Sequence, residues 1–434
     1  MEFNKICVLG LGYIGLPTAS TFATHGINVV GVDVNNRVIE TLKKGDIHIY
    51  EPGLRTLVQA ALGSNQLKIN SKPELSDVFI ISVPTPFLEN KRADMSFVIA
   101  AAQAIVPYLR SGNLVVLEST SPPRTTIDIV APILERSGLK AGDEFSLAYS
   151  PERVLPGQIL RELIENARVI GGIDLKSSYA GRDLYRVFVR GDIILTDATT
   201  AEMVKLMENT YRDVNIAIAN EFSRLADRFG VDIWRAIEIA NLHPRVDILK
   251  PGSGVGGHCI GVDPWFLVEA APDITSLIRT ARQVNDSQPE FVVKTVMDAY
   301  GSDDALGLSG SQVAVLGLTY KPDVDDLRES PAIRVAELLV AAGAQVTAYD
   351  PYQTNAKIDG VKVHSDIETA IKKADLLLLL VGHHDFKGFK PKKIAEKTNA
   401  RLIVDVANLL NSDDWLKLGF QVIRLGAPLT QPTD

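Results

Sequence analysis

The chain has 434 residues, 46% hydrophobic and 23% charged, with a formal net charge of −8 and two cysteines. That apolar content excludes a disordered chain. The acidic balance gives no footprint for a nucleic acid, and two thiols are too few for a disulfide framework or a structural zinc site. An anionic substrate must therefore be met by local Lys and Arg, and the length suggests about three domains at roughly 150 residues each.

The opening "MEFNKICVLGLG" lacks the pattern of a signal peptide. The most apolar later run, "LLLLLVG" at 376–382, is far short of the roughly 20 residues that span a bilayer. The expectation is a reduced, cytoplasmic, soluble protein with no membrane partner.

"KICVLGLGYIGLPTASTFATHGINVVGVDVN" reads as a strand, a glycine turn, a helix and a second strand. Cys7 lies in the first strand, where a free cysteine behaves as a small hydrophobe. Gly10, Gly12 and Gly15 form G-x-G-x-x-G between strand and helix. The first permits a tight turn, the second lets backbone approach a pyrophosphate, and the third allows close helix–strand packing. The helix N-terminus favours the phosphates. Asp33 ends the second strand, placed for a ribose 2′-OH; a carboxylate there repels a 2′-phosphate and selects NAD over NADP. Arg37 keeps NADP open, and a βαβ unit without nucleotide is the structural alternative.

Strand and helix signals alternate through "DVFIISVPTP", "NLVVLESTSPP", "SLAYSPERV" and "ARVIGGID", which predicts a parallel sheet covered on both faces. A long helix then runs from Thr199 to about Gly230, with Thr199 and Glu202 spaced as a capping box. Its length suits a linker or a dimer core. Lys205, Asn209 and Arg212 share one face, while Met203, Val204, Met207, Val214 and Ile218 occupy the other. Periodicity alone does not separate a solvated polar stripe from a ligand-facing one.

"PGSGVGGHCIGVDP" at 251–264 holds the second cysteine. With Asp263 as N-cap and Pro264 in the first turn, Cys259 precedes a helix N-terminus, whose dipole favours thiolate. Gly256 and Gly257 remove bulk on its approach. His258 is adjacent in sequence, where side chains rarely face each other, so it is not read as the base. A structural cysteine in a tight turn, with Asp263 as a cap only, is the alternative. Beyond it, "SQVAVLGLTYKP" and "AIRVAELLVAAGAQVTAYDP" repeat the opening order, ending at Asp350, but "TYKPDVDDLRES" replaces the glycine fingerprint. That copy is built for another ligand, with Lys321 and Arg328 either solvated or binding it. The expected fold is α/β: two Rossmann-like doubly wound domains joined by a central long-helix dimerisation region, divided 1–198, 199–305 and 306–434.

The blocks "GLGYIGLP", "GVDVN", "VPTP", "ESTSPP", "YSPERVLPG", "RVIGG", "AEMVKLMENTYRDVNIAIANE", "HPRVDILKPGSGVGGHC" and "YKPDVDDLRESPA" occur in one order. In these the chain resembles the nucleotide-sugar 6-dehydrogenases, the UDP-glucose/UDP-N-acetylhexosamine dehydrogenase superfamily, over essentially its whole length. "SPERVLPG" and "HPRV" resemble the N-acetylhexosamine branch. "GGHCIGVDPWFLV" with "LIRTARQVND" is most similar to members acting on UDP-N-acetyl-D-mannosamine, with the gluco epimer next and UDP-glucose after it. Arg124 stands where the family usually has glycine, and Ser253 where it often has proline.

The resemblance implies a four-electron oxidation of a primary alcohol to a carboxylate, with two NAD, no metal and a homodimer, or a higher homo-oligomer, in which a neighbour's Arg245 reaches the UDP-sugar. It implies Cys259 as the nucleophile of a thiohemiacetal and thioester, Lys205 as stabiliser of the oxyanions and Asn209 as holder of the reacting oxygen. Asp263 orients water with Lys205, Glu152 is the hydrolytic base, and Thr120 lies between cofactor and water. Tyr13, Ile14, Asp33, Arg37 and Thr85 match NAD-contacting positions. Arg153, Val154, Arg212, His243, Arg245, Gly256, Lys321 and Arg328 match positions around the UDP-sugar, with Arg328 shared with the cofactor. Two rivals are a two-electron β-hydroxyacid dehydrogenase, which needs neither the thiol nor the second nucleotide-binding domain, and a non-catalytic UDP-sugar or NAD sensor.

Overall fold

Short runs of Val, Ile and Leu, such as "VFII" and "LVVL", are buried along their whole length, as strands covered on both faces must be. The structure, a computed structural model, describes residues 3–88, 90–301 and 307–427. It divides into two compact units: Met1–Glu208 with Trp265–Ile274, and Asn209–Pro264 with Thr275–Asp434.

The first unit holds β1 (Lys5–Leu9), β2 (Asn28–Val32), β3 (Leu67–Asn70), β4 (Val78–Ile81), β5 (Leu114–Leu117), β6 (Ser146–Tyr149), β7 (Arg168–Gly172) and β8 (Ile193–Asp197) in one sheet of order β3-β2-β1-β4-β5-β6-β7-β8. Neighbours are parallel except β6 and β7, which pair antiparallel. Helix α1 (Gly15–Thr24) follows β1, and α2 (Asn36–Lys43) follows β2, capped by Asn35, whose side chain accepts from the Arg37 N–H. In such a sheet ligands bind beyond the carboxyl ends of the strands where the order reverses, here between β1 and β4.

The second unit carries β9 (Gln312–Leu316), β10 (Gln345–Tyr349), β11 (Val361–Val363), β12 (Leu376–Leu379), β13 (Leu402–Asp405) and β14 (Gln421–Arg424), all parallel, in the order β11-β10-β9-β12-β13-β14. Both expected doubly wound sheets are present, with the same strand order through their first six strands.

Helix α3 (Ala198–Phe229) leaves the first unit at Glu208 and enters the second at Asn209. The capping box read from Thr199 and Glu202 does not form. Asp197 caps instead, its carboxylate accepting from the Thr200 N–H at 2.9 Å and hydroxyl at 2.6 Å. Glu202 is buried and accepts from the Thr126 N–H and hydroxyl and the Arg124 N–H. Burial pushes its carboxyl up to about 6.

Part of α3 runs against the simple rule of polar outside and apolar inside. Lys205 and Asn209 are buried, while Met207, Tyr211, Ile218, Phe222, Leu225 and Phe229 stand exposed along another face. A solvated polar stripe is excluded for those two residues, although Arg212 is exposed.

Candidate functional site

In the first unit the three glycines separate by function. Gly10 has φ +92°, which suits glycine; a Cβ on Gly15 would stand 1.9 Å from the Gly10 carbonyl oxygen; a Cβ on Gly12 would meet nothing within 4 Å. The turn is tight, packed and open at the three places where a dinucleotide needs each property. Asp33 closes it from β2: one carboxylate oxygen accepts from the Leu11 N–H at 3.0 Å, the other from the Asn35 N–H at 2.8 Å. It remains half-buried, so lone pairs are left at the surface. These residues fit NAD. Tyr13 and Ile14 lie half-buried in the turn, Thr85 is buried, Thr120 half-buried, and Arg37 exposed on α2.

Residues after β6 meet α3 within the same unit. The Lys205 ammonium donates to the Glu152 carbonyl at 2.9 Å. Arg153 is paired with Glu208 and donates to the Ala167 carbonyl, so this cation of the expected clamp already has a carboxylate partner. Val154 is half-buried. Glu51 ties down the following loop, accepting from the N–H groups of Gly157 and Ile159 at 2.8 and 2.9 Å. Arg124 has φ +74°, left-handed backbone that explains why the resembling family usually has glycine there.

In the second unit the two cysteines' contrast is completed. Cys259 is exposed, whereas Cys7 is fully buried and burial pushes its thiol up to about 12. The Cys259 carbonyl accepts from the N–H groups of Val262 and Asp263 at 3.0 and 2.8 Å. Helix α4 runs over Asp263–Ala270. The buried Asp263 carboxylate accepts from the Asn209 amide at 2.5 Å, which ties the two side chains together.

Close packing gives Gly256 and Gly257 a reason of their own. A Cβ on Gly256 would stand 2.3 Å from the Glu329 carbonyl oxygen, and one on Gly257, at φ +82°, would stand 2.7 Å from the Tyr320 ring. The Gly257 N–H donates to the Arg328 carbonyl at 3.1 Å. The cysteine loop is therefore pressed onto the segment that replaces the glycine fingerprint. From α3, Asn215 accepts from the Leu249 N–H and Asn220 from the Gly252 N–H, both at 3.0 Å. Burial, helped by the Arg328 charge, lowers the His258 pKa.

Among the other residues implied around the UDP-sugar, Arg212, His243 and Arg245 are exposed, and Lys321 is half-buried. Arg328 is bonded to Asp326 through Nε at 2.9 Å and Nη2 at 2.6 Å. Within the units, then, Lys205 meets Glu152 and Asn209 meets Asp263.

Reading the sequence missed Glu118, Arg168 and Tyr185, which are buried together in the first unit. The signal was there: "LVVLE" and "ARVIGG" put ionisable residues at the ends of buried strands, where such a residue needs a partner.

The chain matches three parts of the UDP-glucose/GDP-mannose dehydrogenase family: the NAD binding domain over residues 4–189, the central domain over 199–287 and the UDP binding domain over 314–412. It is 48% identical over 429 residues to the UDP-N-acetyl-D-mannosamine dehydrogenase of Methanocaldococcus jannaschii, covering 98% of this chain and 96% of that one. It is 46% identical over 419 residues to the NDP-N-acetyl-D-galactosaminuronic acid dehydrogenase of Ralstonia nicotianae, covering 94% of this chain and 97% of that one. The solved UDP-D-ManNAc dehydrogenase of Pyrococcus horikoshii superposes with a TM-score of 0.90 at 41% identity, over 97% of this chain and 99% of that one.

Proposed function

Because the chain belongs to the UDP-glucose/GDP-mannose dehydrogenase family, whose NAD binding, central and UDP binding domains it carries, we propose that it oxidises C6 of UDP-N-acetyl-D-mannosamine from a primary alcohol to a carboxylate. The substrate rests on the relatives of that name, which match nearly the full length. The chemistry rests on one observation above others: an exposed thiol four residues ahead of a buried carboxylate that holds the Asn209 amide.

The glycine turn, Asp33 and the residues around them hold NAD, which when bound accepts one hydride from C6 in each of two oxidation steps. Cys259 attacks the intermediate aldehyde and retains it as a thiohemiacetal; after the second oxidation the same sulfur carries a thioester. Lys205 and Asn209 face the developing oxyanion with a positive charge and an amide donor. Asp263 fixes Asn209 and orients water, Thr120 lines the water's path, and Glu152 takes the proton of the water that releases the acid. Arg212, His243, Lys321 and Arg328, with Arg153, Val154 and Gly256 beside them, receive the UDP-sugar, and Arg245 does so from a neighbouring chain.

The apolar exposed face of α3 supports a homodimer whose core is that helix. We retain the three-domain division 1–198, 199–305 and 306–434, and a cytoplasmic location; among the described residues no helix is long and apolar enough to cross a membrane. NADH formation measured side by side with UDP-N-acetylmannosamine, UDP-N-acetylglucosamine and UDP-glucose tests the reading. UDP-N-acetylmannosamine is expected to give a kcat/KM about tenfold or more above the others. Preference for another sugar overturns the substrate, and no NADH with any of them leaves the sensor reading.

A further inference from the structure

Three stretches, "ESTSPP", "YSPERVLPG" and "RVIGG", meet inside the first unit. Glu118 follows β5, Ser150 and Glu152 follow β6, and Arg168 opens β7. β7 is the strand that runs against its neighbour β6, with Ala148 opposite Gly172 and Tyr149 opposite Gly171. Continuing that register past the end of β6 sets Arg168 opposite Glu152. Reversing the strand is what carries its first residue to the carboxyl ends of β5 and β6.

The guanidinium of Arg168 uses all three of its nitrogens there. Nη1 donates to the Glu152 carboxylate at 2.9 Å, Nη2 to Glu118 at 2.8 Å and Nε to the Ser150 hydroxyl at 2.9 Å. Its plane lies 3.7 Å over the Tyr185 ring, whose hydroxyl donates to the same Glu118 oxygen at 2.6 Å. The Ser82 hydroxyl donates to the other Glu118 oxygen at 2.5 Å. Glu152 is thereby held three ways: one carboxylate oxygen by Arg168, the other by the Arg153 N–H at 2.8 Å, and its carbonyl by Lys205 at 2.9 Å. Arg168 and Glu118 are almost completely buried.

A buried ion cluster is a poor way to stabilise a core, because the desolvation of its charges offsets their attraction and apolar replacements are often as stable. It is a good way to fix one carboxylate, since the planar fork sets direction as well as distance. We propose that Arg168 is the positioning residue of the hydrolytic step, aiming the Glu152 carboxylate at the water that attacks the thioester, with little part in hydride transfer. The proposal rests on the reading of Glu152 as the base. In that step the water oxygen bonds to C6, its proton passes to Glu152, and the C6–S bond breaks with its electron pair leaving on the Cys259 sulfur; nothing is oxidised or reduced.

Arg168→Lys keeps the positive charge but offers a point donor that cannot span three acceptors. Rapid-mixing traces of NADH together with intact-protein mass spectrometry separate the steps. The variant is expected to pass through both hydride transfers within about threefold of the wild-type rate, while steady-state turnover falls about tenfold or more. It accumulates a covalent acyl adduct on Cys259, and added hydroxylamine, which cleaves thioesters without a base, restores turnover. If hydride transfer and hydrolysis fall together, or if no adduct accumulates, the role of Arg168 is overturned. Glu152→Gln run in parallel separates the two ideas: no adduct in that variant overturns the reading of Glu152 itself, whereas an adduct there but not in Arg168→Lys overturns Arg168 alone. Should Arg168→Lys fail to fold, the paired Arg168→Met/Glu118→Met chain, which removes the deepest charge along with its partner, takes the same readouts.

Discussion

The two doubly wound sheets of this chain share a strand order and place an aspartate just after the second strand, yet the two aspartates live differently. Asp33 accepts from two backbone N–H groups and stays half-buried. Asp350 is fully buried and accepts from the N–H groups of Leu318, Thr319, Tyr352 and Gln353 and from His383 Nε2 at 3.0 Å. His383 Nδ1 accepts from the Asp323 N–H, so Nε2 carries the proton that Asp350 receives. The hydrogen bond from His383 and those from the backbone outweigh burial and lower the Asp350 pKa. One acid is left available to a ligand, and the other is spent on holding the segment that took the ligand-binding turn's place. The cause is the length of that segment: α1 starts at Gly15, directly after the first turn, whereas helix α5 (Pro331–Ala341) starts only after the whole of "TYKPDVDDLRES".

The comparison is broken most forcefully by removing each acid in turn. Asp350→Ala leaves His383 and four N–H groups without their acceptor in a buried setting, and should destabilise the second unit by about 3 kcal/mol or more. Asp33→Ala should barely move the melting curve but raise the KM for NAD by about tenfold with kcat nearly unchanged, as loss of uniform binding does. Thermal melts and NAD titrations of the two variants, side by side, check this; equal melting losses would erase the distinction.

Gly257→Ala comes next. The new methyl group enters the Tyr320 ring at a left-handed φ, at a loss of about 2 kcal/mol. Because it displaces the loop that carries Cys259, kcat should fall about tenfold or more. NAD affinity, a property of the first unit, should hold, and equilibrium dialysis with NAD checks it.

Two acids of the second unit titrate with opposite sign. The depressed Asp350 contributes stability that is present at neutral pH and lost on acidification. Burial pushes Asp405 up to about 6, and among the described residues Oδ1 of that carboxyl finds no hydrogen-bond partner. The folded form therefore binds more protons than the unfolded one between about pH 4 and 6, and stability falls as pH rises through that window. Asp405→Asn should stabilise by about 2 kcal/mol at pH 8, with the gain vanishing near pH 4. Melting curves across that range check the sign.

The smallest effect belongs to the first unit. Arg124→Gly relieves left-handed backbone at the loss of an exposed pair with Asp128, for a net gain of about 0.5 kcal/mol read as a small rise in melting temperature.

Much of this was legible in the residues. The G-x-G-x-x-G spacing announced the turn, the repeated "VLGL" the second sheet, and the two settings of cysteine their different exposure. Other features depend on what the chain packs against. The capping-box pair at Thr199 and Glu202 lost to Asp197 because Glu202 is taken up by the N–H groups of Arg124 and Thr126 and the Thr126 hydroxyl. The inward turn of Lys205 and Asn209 follows from neighbours far along the chain, not from helical period. "RVIGG" carries no mark of strand direction, so the meeting of Arg168 with Glu152 was invisible. Nor does glycine spacing reveal a tight contact, such as those of Gly256 with the Glu329 carbonyl and Gly257 with the Tyr320 ring.

The most direct measurement is to count NADH and uronic acid in the same reaction, for the wild type and for Cys259→Ala, with UDP-N-acetylmannosamine as substrate. The wild type should give two NADH per acid, the electron balance of an alcohol taken to a carboxylate. The alanine variant should still bind NAD and the UDP-sugar while acid formation falls by about a thousandfold or more, the scale of losing a covalent nucleophile. One NADH per sugar with free aldehyde released, or near-normal acid from Cys259→Ala, would contradict it.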